Sequence, residues 1–300
     1  MFEGFSDVSM PVDGIDIHAI RGGSGPALLL LHGHPQTHAI WHKVTPALAE
    51  RFTVVCADLR GYGDSAKPTG DADHANYAKR AMALDQVALM QRLGFDSFAV
   101  IGHDRGGRVA ARMALDHPHA VTRLVTLDVA PTLAMYEQTS FAFARAYWHW
   151  FFLVRPAPFP ETLIRADPDL YLKQTIGARS AGLAPFTPEA YAEYLRCLSD
   201  PATAHGICED YRASITIDLE HDRADLAAGK RIACPFLALW GAQGVVGQCF
   251  DPLAEWRKWS PTVEGGALPC GHYIPEEAPD RLLERVLPFL TDTTATHVAA

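Results

Sequence analysis

The chain predicts an α/β protein with a mostly parallel sheet, and three observations carry that prediction. Short apolar runs alternate with helix-period segments, which is the pattern of consecutive βαβ units. The length, 300 residues at 48% hydrophobic and 20% charged, allows one large α/β domain or two small ones. Finally, Gly102-His103-Asp104-Arg105-Gly106-Gly107 joins an apolar run to a helical pattern, as a strand–turn–helix corner would.

The elements follow in chain order. Residues 10–21 read as a hairpin turning at Asp13-Gly14. Ala27–Leu31 and Thr53–Ala57 read as buried strands. Tyr77–Leu93 is helical, with Ala83, Val87, Met90 and Leu93 on one face at spacings of three and four. Phe98–Ile101 is the next strand and leads into the corner at Asp104. A helix over about 105–117 stops before Pro118, because proline disfavours helix at the residue before it. Val121–Leu127 is a strand with Asp128 at its carboxyl end. Phe236–Leu239 and Thr262–Ala267 read as the last two strands, with a helix between them and another over about 280–290. Residues 132–228 break the rhythm. They are rich in aromatics and arginine, include Pro156, Pro158 and Pro160, and predict a helical cap over a core formed by 1–131 and 229–300. The threonine-rich tail after Leu290 is expected to fray.

Composition narrows the classes of function. A net charge of −9 argues against nucleic acid or an anionic membrane as partner. It also means that any preference for an anionic substrate must come from local arginines. The six cysteines form no C-x-x-C pair, so no zinc ribbon or redox motif is expected, and buried free thiols are. No metal or cofactor is implied. The N-terminus lacks a basic region followed by an apolar stretch, and no run approaches the ~18 apolar residues of a membrane span. The expected location is cytoplasmic.

The chemistry centres on Asp104. In a G-x-nucleophile-x-G corner, a serine is usual, and an aspartate changes what can be attacked. A carboxylate displacing a leaving group from an sp3 carbon forms an ester, which water can later open. A serine would form an ether there, which histidine-activated water cannot readily cleave. Asp104 therefore predicts an alkyl electrophile, either a carbon–halogen bond or an epoxide. The competing reading makes Asp104 a helix cap, but a cap does not require glycine two residues before and after it.

The partners are sought by position. His272, in Cys270-Gly271-His272-Tyr273 after the last strand, is the expected base. The seventh strand is followed by Gly241-Ala242-Gln243-Gly244, without a carboxylate, so Asp128 is the acid expected to orient His272, with Asp251 in reserve. The turn His32-Gly33-His34-Pro35 can offer the backbone N–H of His34 to an oxyanion, and the N–H of Arg105 would be the second donor. Arg105 and Arg108 flank the nucleophile as if the substrate were itself negatively charged.

With these residues in view, the chain resembles the α/β-hydrolase superfamily and, within it, the haloacetate dehalogenase family, whose best-known activity is on fluoroacetate. The likeness spans about residues 5–290. Its markers are His32-Gly33-His34-Pro35-Gln36-Thr37, Asp58-Leu59-Arg60-Gly61-Tyr62-Gly63-Asp64-Ser65, Asp104-Arg105-Gly106-Gly107-Arg108, His149-Trp150, Cys208-Glu209-Asp210-Tyr211-Arg212 and Gly271-His272. The resemblance implies an α/β-hydrolase fold: a mostly parallel eight-stranded sheet with a helical lid after the sixth strand. It implies that Arg105 and Arg108 bind a substrate carboxylate, for which guanidinium forks are suited. His149, Trp150 and Tyr211 match the family's halide pocket. A homodimer is implied by likeness only.

There are two departures from the family pattern. Gln174–Ser180 lacks an aromatic where fluoroacetate-active members have a tryptophan, which predicts a wider pocket and opens the choice of halide. His34 stands where phenylalanine is common. The reading is a haloacetate dehalogenase yielding the 2-hydroxy acid. An epoxide hydrolase shares Asp-His-Asp and draws on lid tyrosines; the Arg105/Arg108 pair tips the balance against it. A non-catalytic ligand-binding member of the fold is the remaining rival.

Overall fold

The structure is a computed structural model that describes residues 1–292, and the tail expected to fray lies largely outside the described residues. Eight strands form one sheet: β1 (Ser6–Val12), β2 (Ile15–Gly23), β3 (Ala27–Leu31), β4 (Thr53–Ala57), β5 (Phe98–His103), β6 (Val121–Leu127), β7 (Phe236–Gly241) and β8 (Glu264–Leu268). Their order is β1-β2-β4-β3-β5-β6-β7-β8. β2 pairs antiparallel with β1 and β4, and the remaining pairs are parallel. The first two strands form the expected hairpin. Val12 faces Ile15 across Asp13 and Gly14, both at positive φ (43° and 87°), which suits a two-residue turn matched to the strand twist.

The central strands are buried on both faces, so their apolar runs are continuous. Leu29 and Leu31 point into one core, while Leu28 and Leu30 point into the other. The first core lies under the helices Lys79–Arg92 and Arg105–Asp116. The second is closed by the helix Pro279–Thr291 through Leu282, Val286 and Leu290. The predicted strands Ala27–Leu31, Thr53–Ala57 and Val121–Leu127 coincide with β3, β4 and β6. Differences fall at element ends and in one connection. β8 begins at Glu264 rather than Thr262, and β7 and β8 are joined by two short helices, Val245–Cys249 and Pro252–Arg257, instead of one. The helix break falls at Phe250-Asp251, where Asp251 is extended and caps the next helix through the N–H of Ala254.

Between β6 and β7 the chain runs through eight α-helices, from Thr132–Glu137 to Ile217–Ala227, with one short 3₁₀ turn, Gly177–Arg179, among them. All six cysteines are free, and four are buried. Among the described residues no helix is long and apolar enough to cross a membrane.

Candidate active site

The site gathers at the carboxyl ends of the parallel strands, where an α/β sheet opens its crevice. β3 delivers His32 to His34, β5 delivers Asp104, β6 delivers Asp128, and the loop after β8 delivers His272. Asp104 sits at φ 49°, ψ −114°, a conformation a non-glycine residue adopts only under constraint. Tight packing supplies that constraint. A methyl group on Gly102 would overlap the Gly106 carbonyl, and one on Gly106 would overlap the carbonyls of Leu31 and His32. The Asp104 side chain makes no capping bond to its helix. Its Oδ1 instead accepts the N–H of His34 at 2.9 Å. Burial opposes its ionisation, but the guanidinium charges of Arg179 and Arg105 favour the anion, and the carboxyl is held well below its ordinary range.

His272 Nδ1 lies 2.5 Å from Asp128 Oδ2, and its Nε2 lies 3.7 Å from Asp104 Oδ2. Asp128, also at positive φ (50°), is fixed from the far side by the N–H of Gly241 at 2.9 Å. The carboxylate that meets His272 is thus the one at the end of β6, and the exposed Asp251 caps a helix instead. Burial, reinforced by Arg179, pushes His272 down to about 3, so its imidazole is neutral and able to accept a proton. Burial drives Asp128 upward, against the Gly241 hydrogen bond. Tyr147 approaches His272 Nδ1 at 3.2 Å.

The two arginines after Asp104 differ in their surroundings. Arg105 is fully buried and grips Asp210 with Nε (2.8 Å) and NH2 (2.6 Å); its NH1 has no hydrogen-bond partner among the described residues. Asp210 also takes Lys79 and the Tyr62 hydroxyl (2.7 Å). Arg108 is held by neutral groups only, with NH1 on Ala130 O (2.9 Å) and Thr132 Oγ1 (2.8 Å) and NH2 on Met135 Sδ (3.0 Å). Its Nε is unpartnered. Burial lowers its affinity for a proton, the signature of a cation without its counterion.

Around these guanidinium groups lies a shell of rings. The Arg105 guanidinium stands 4.2 Å from the Tyr211 ring centre, and that of Arg108 stands 4.7 Å from Trp150. His149 stacks on His34 at 5.4 Å and meets Tyr211 edge-on at 6.0 Å. His149 Nε2, Trp150 Nε1 and Tyr211 Oη are all buried and have no hydrogen-bond partner among the described residues. Buried polar atoms are nearly always satisfied, so these three on adjoining rings leave hydrogen-bonding capacity open to a bound polar group.

Every residue predicted for the site is thus brought together. Sequence reasoning missed two. Asp210 lay inside a quoted motif without a role, and its pairing with Arg105 could not be read from spacing. Arg179 carried no signal, because the segment was read for a missing aromatic. The expectation of a wider pocket there changes: the Arg179 guanidinium reaches into the site, donating to His34 O and to His272 Nε2, each at 3.2 Å.

Comparison with known proteins agrees with this architecture. The profile of the family described as the alpha/beta hydrolase fold matches residues 26–279. A fluoroacetate dehalogenase from Burkholderia sp is 48% identical over 97% of this chain and 96% of its own. A soluble epoxide hydrolase from Corynebacterium sp. (strain C12) is 38% identical over 93% and 94%. The crystal structure of an alpha/beta hydrolase from Nostoc sp PCC 7120 superposes with a TM-score of 0.95 at 51% identity, covering 97% of this chain and 99% of that one. The chain belongs to the α/β-hydrolase superfamily and, within it, to the haloacetate dehalogenase family of hydrolases acting on carbon–halide bonds.

Proposed function

We propose that the protein converts a haloacetate or small 2-halo carboxylate to the 2-hydroxy acid and halide through an ester on Asp104. The observation that carries this reading is the cluster of unpartnered buried polar atoms, His149 Nε2, Trp150 Nε1 and Tyr211 Oη, beside the spare N–H groups of Arg105 and Arg108. The first set suits a departing halide, and the second suits a carboxylate.

In the first half-reaction an Asp104 oxygen bonds to the halogen-bearing carbon as the carbon–halogen bond breaks. The halide leaves with the bonding pair, toward donors whose hydrogen bonds strengthen as its charge grows. In the second, His272 Nε2 takes a proton from water while the water oxygen attacks Cγ of the Asp104 ester. The resulting oxyanion stays on the oxygen bonded to the N–H of His34, with the N–H of Arg105 as second donor. Collapse expels the 2-hydroxy acid oxygen, which receives the proton from His272, and leaves Asp104 as a carboxylic acid; loss of that remaining water-derived proton to solvent restores the carboxylate. Asp128 orients the imidazole and stabilises its charged form. The helices between β6 and β7 act as a lid that excludes bulk water.

The unpartnered Tyr211 hydroxyl could also protonate an opening epoxide, and that observation supports epoxide hydrolysis as the second reading. Ion detection of fluoride, chloride and bromide from the matching haloacetates, run beside a neutral epoxide, separates the two. Halide release is the expected result, and activity on the epoxide alone would overturn the proposal.

A further inference from the structure

Arg179 takes no part in the chemistry above, yet its side chain is buried at the centre of the site. It ends the short 3₁₀ turn Gly177–Arg179 of the segment inserted between β6 and β7. Its Nε donates to Thr175 O at 3.1 Å, its NH2 to His34 O at 3.2 Å, and its NH1 to His272 Nε2 at 3.2 Å. Its own carbonyl accepts the N–H of His272 at 2.9 Å. The guanidinium lies 5.5 Å from the Tyr147 ring centre and 5.2 Å from that of Tyr273. All these direct partners are neutral, so the charge is held here at a desolvation cost that no carboxylate in contact offsets.

We infer that Arg179 is a positioning residue for the ester-hydrolysis half-reaction, tying the base His272 to the backbone of the oxyanion turn at His34 and holding it in the Nδ1-protonated neutral tautomer. This rests on the reading of the site given above. The tautomer follows from geometry. A guanidinium N–H can donate to Nε2 only if that nitrogen offers its lone pair, which leaves the imidazole proton on Nδ1, directed at Asp128. The contacts that remain when NH1 lets go, Arg179 NH2 on His34 O and the backbone N–H of His272 on Arg179 O, fix the distance between the group that takes the water's proton and the turn that receives the oxyanion.

The charge balance fits this timing. His272 is faced by Asp128 and Tyr147 at Nδ1, by Arg179 at Nε2, and by Asp104 at 3.7 Å. The rings of His103 and Tyr273 lie 4.7 Å from it, and the Arg108 charge also reaches it. While Asp104 is anionic, its charge helps to retain the Arg179 guanidinium beside the base. Alkylation makes Asp104 a neutral ester and transfers the negative charge to the halide. The NH1 contact then yields Nε2 to water, whose proton passes to Nε2 and later to the departing alkoxide oxygen. His272 is therefore occupied before the first half-reaction and released for the second.

The experiment compares wild type, Arg179→Gln and Arg179→Lys, with two readouts. Rapid quench with bromoacetate gives first-turnover bromide and the added mass on the peptide containing residue 104. Separately, ¹⁵N NMR follows the onset of His272 protonation from pH 7 downward in the free enzyme, which needs no substrate. In Arg179→Gln, first-turnover bromide should stay within threefold of wild type while the ester decays at least tenfold more slowly. His272 protonation should begin about one pH unit higher, because a cation beside the ring is gone. Arg179→Lys keeps a cation and should restore the titration without fully restoring ester decay. Equal slowing of both half-reactions with an unmoved titration would overturn the inference. A wild type that releases no halide would overturn the proposed function instead, and the titration would still decide the role of Arg179.

Discussion

At the scale of single residues, the division of labour between Asp104 and His272 makes the sharpest predictions. Asp104→Asn should lower turnover by at least about 10⁴-fold, since loss of a nucleophile leaves only binding and polarisation. His272→Asn should instead leave the first displacement intact and trap the ester, visible by mass spectrometry on the residue-104 peptide. Full activity in either variant would sink the mechanism. The protonation state of His272 gives a pH test. The neutral imidazole is the active form, and burial with Arg179 holds it down to about 3. The acid limb of ester decay, and of kcat where that step limits turnover, should therefore lie below pH 5, well under the ordinary histidine value of 6.5. A limb near pH 6.5 would show a base in a wetter setting. Among the rings proposed to receive the halide, Trp150→Phe removes one unpartnered N–H. It should slow displacement by about 10²–10³-fold, with a larger loss for fluoride than for bromide because more charge must be stabilised on leaving.

At the scale of elements, the corner between β5 and the helix Arg105–Asp116 decides whether Asp104 can reach a substrate at all. Its backbone is held at positive φ by close approach of neighbouring carbonyls, which glycine alone permits at residues 102 and 106. Gly102→Ala should destabilise the fold by about 2 kcal/mol or more through overpacking and should misplace the nucleophile. Chemical denaturation together with first-turnover halide release would register both effects. The β6 end contributes in a similar way. The carboxylate that meets His272 is Asp128 rather than one from the glycine-rich turn after β7, and the Gly241 N–H of that turn anchors it.

At the scale of the whole molecule, Asp210 joins the inserted helices to the core. It lies on the helix Pro201–Ile215 and binds Arg105, Lys79 and Tyr62, which belong to three separate stretches of the core. Asp210→Asn would strand two buried cations, and breaking a buried charge network costs about 3–5 kcal/mol. The loss should appear as a lower melting temperature, and the variant should also lose affinity for the substrate carboxylate as Arg105 shifts. Burial opposes ionisation of Asp210, but Arg105 and Lys79 outweigh it and hold its folded value far below 3.8. Its contribution to stability is thus present above pH 3.8 and lost as pH falls below it. Wild type and Asp210→Asn should therefore converge in melting temperature in strong acid.

Much of this was legible in the sequence because local rules governed it. Strands covered on both faces must be apolar at consecutive positions, so β3, β4 and β6 were read to the residue. A strained corner needs glycines at fixed offsets, so Asp104 was found without reference to any other part of the chain. Chain order after the last strand then singled out His272 among fourteen histidines. What only the tertiary structure decided concerns charges that meet across long sequence separations. The pairing of Arg105 with Asp210 spans 105 residues, and the approach of Arg179 to His272 spans 93. Arg105 and Arg108 look alike as letters, yet burial gives one a carboxylate partner and leaves the other among neutral groups. Local sequence fixes backbone shape through sterics; the burial and partners that set a buried charge's energy arise only when distant segments come together.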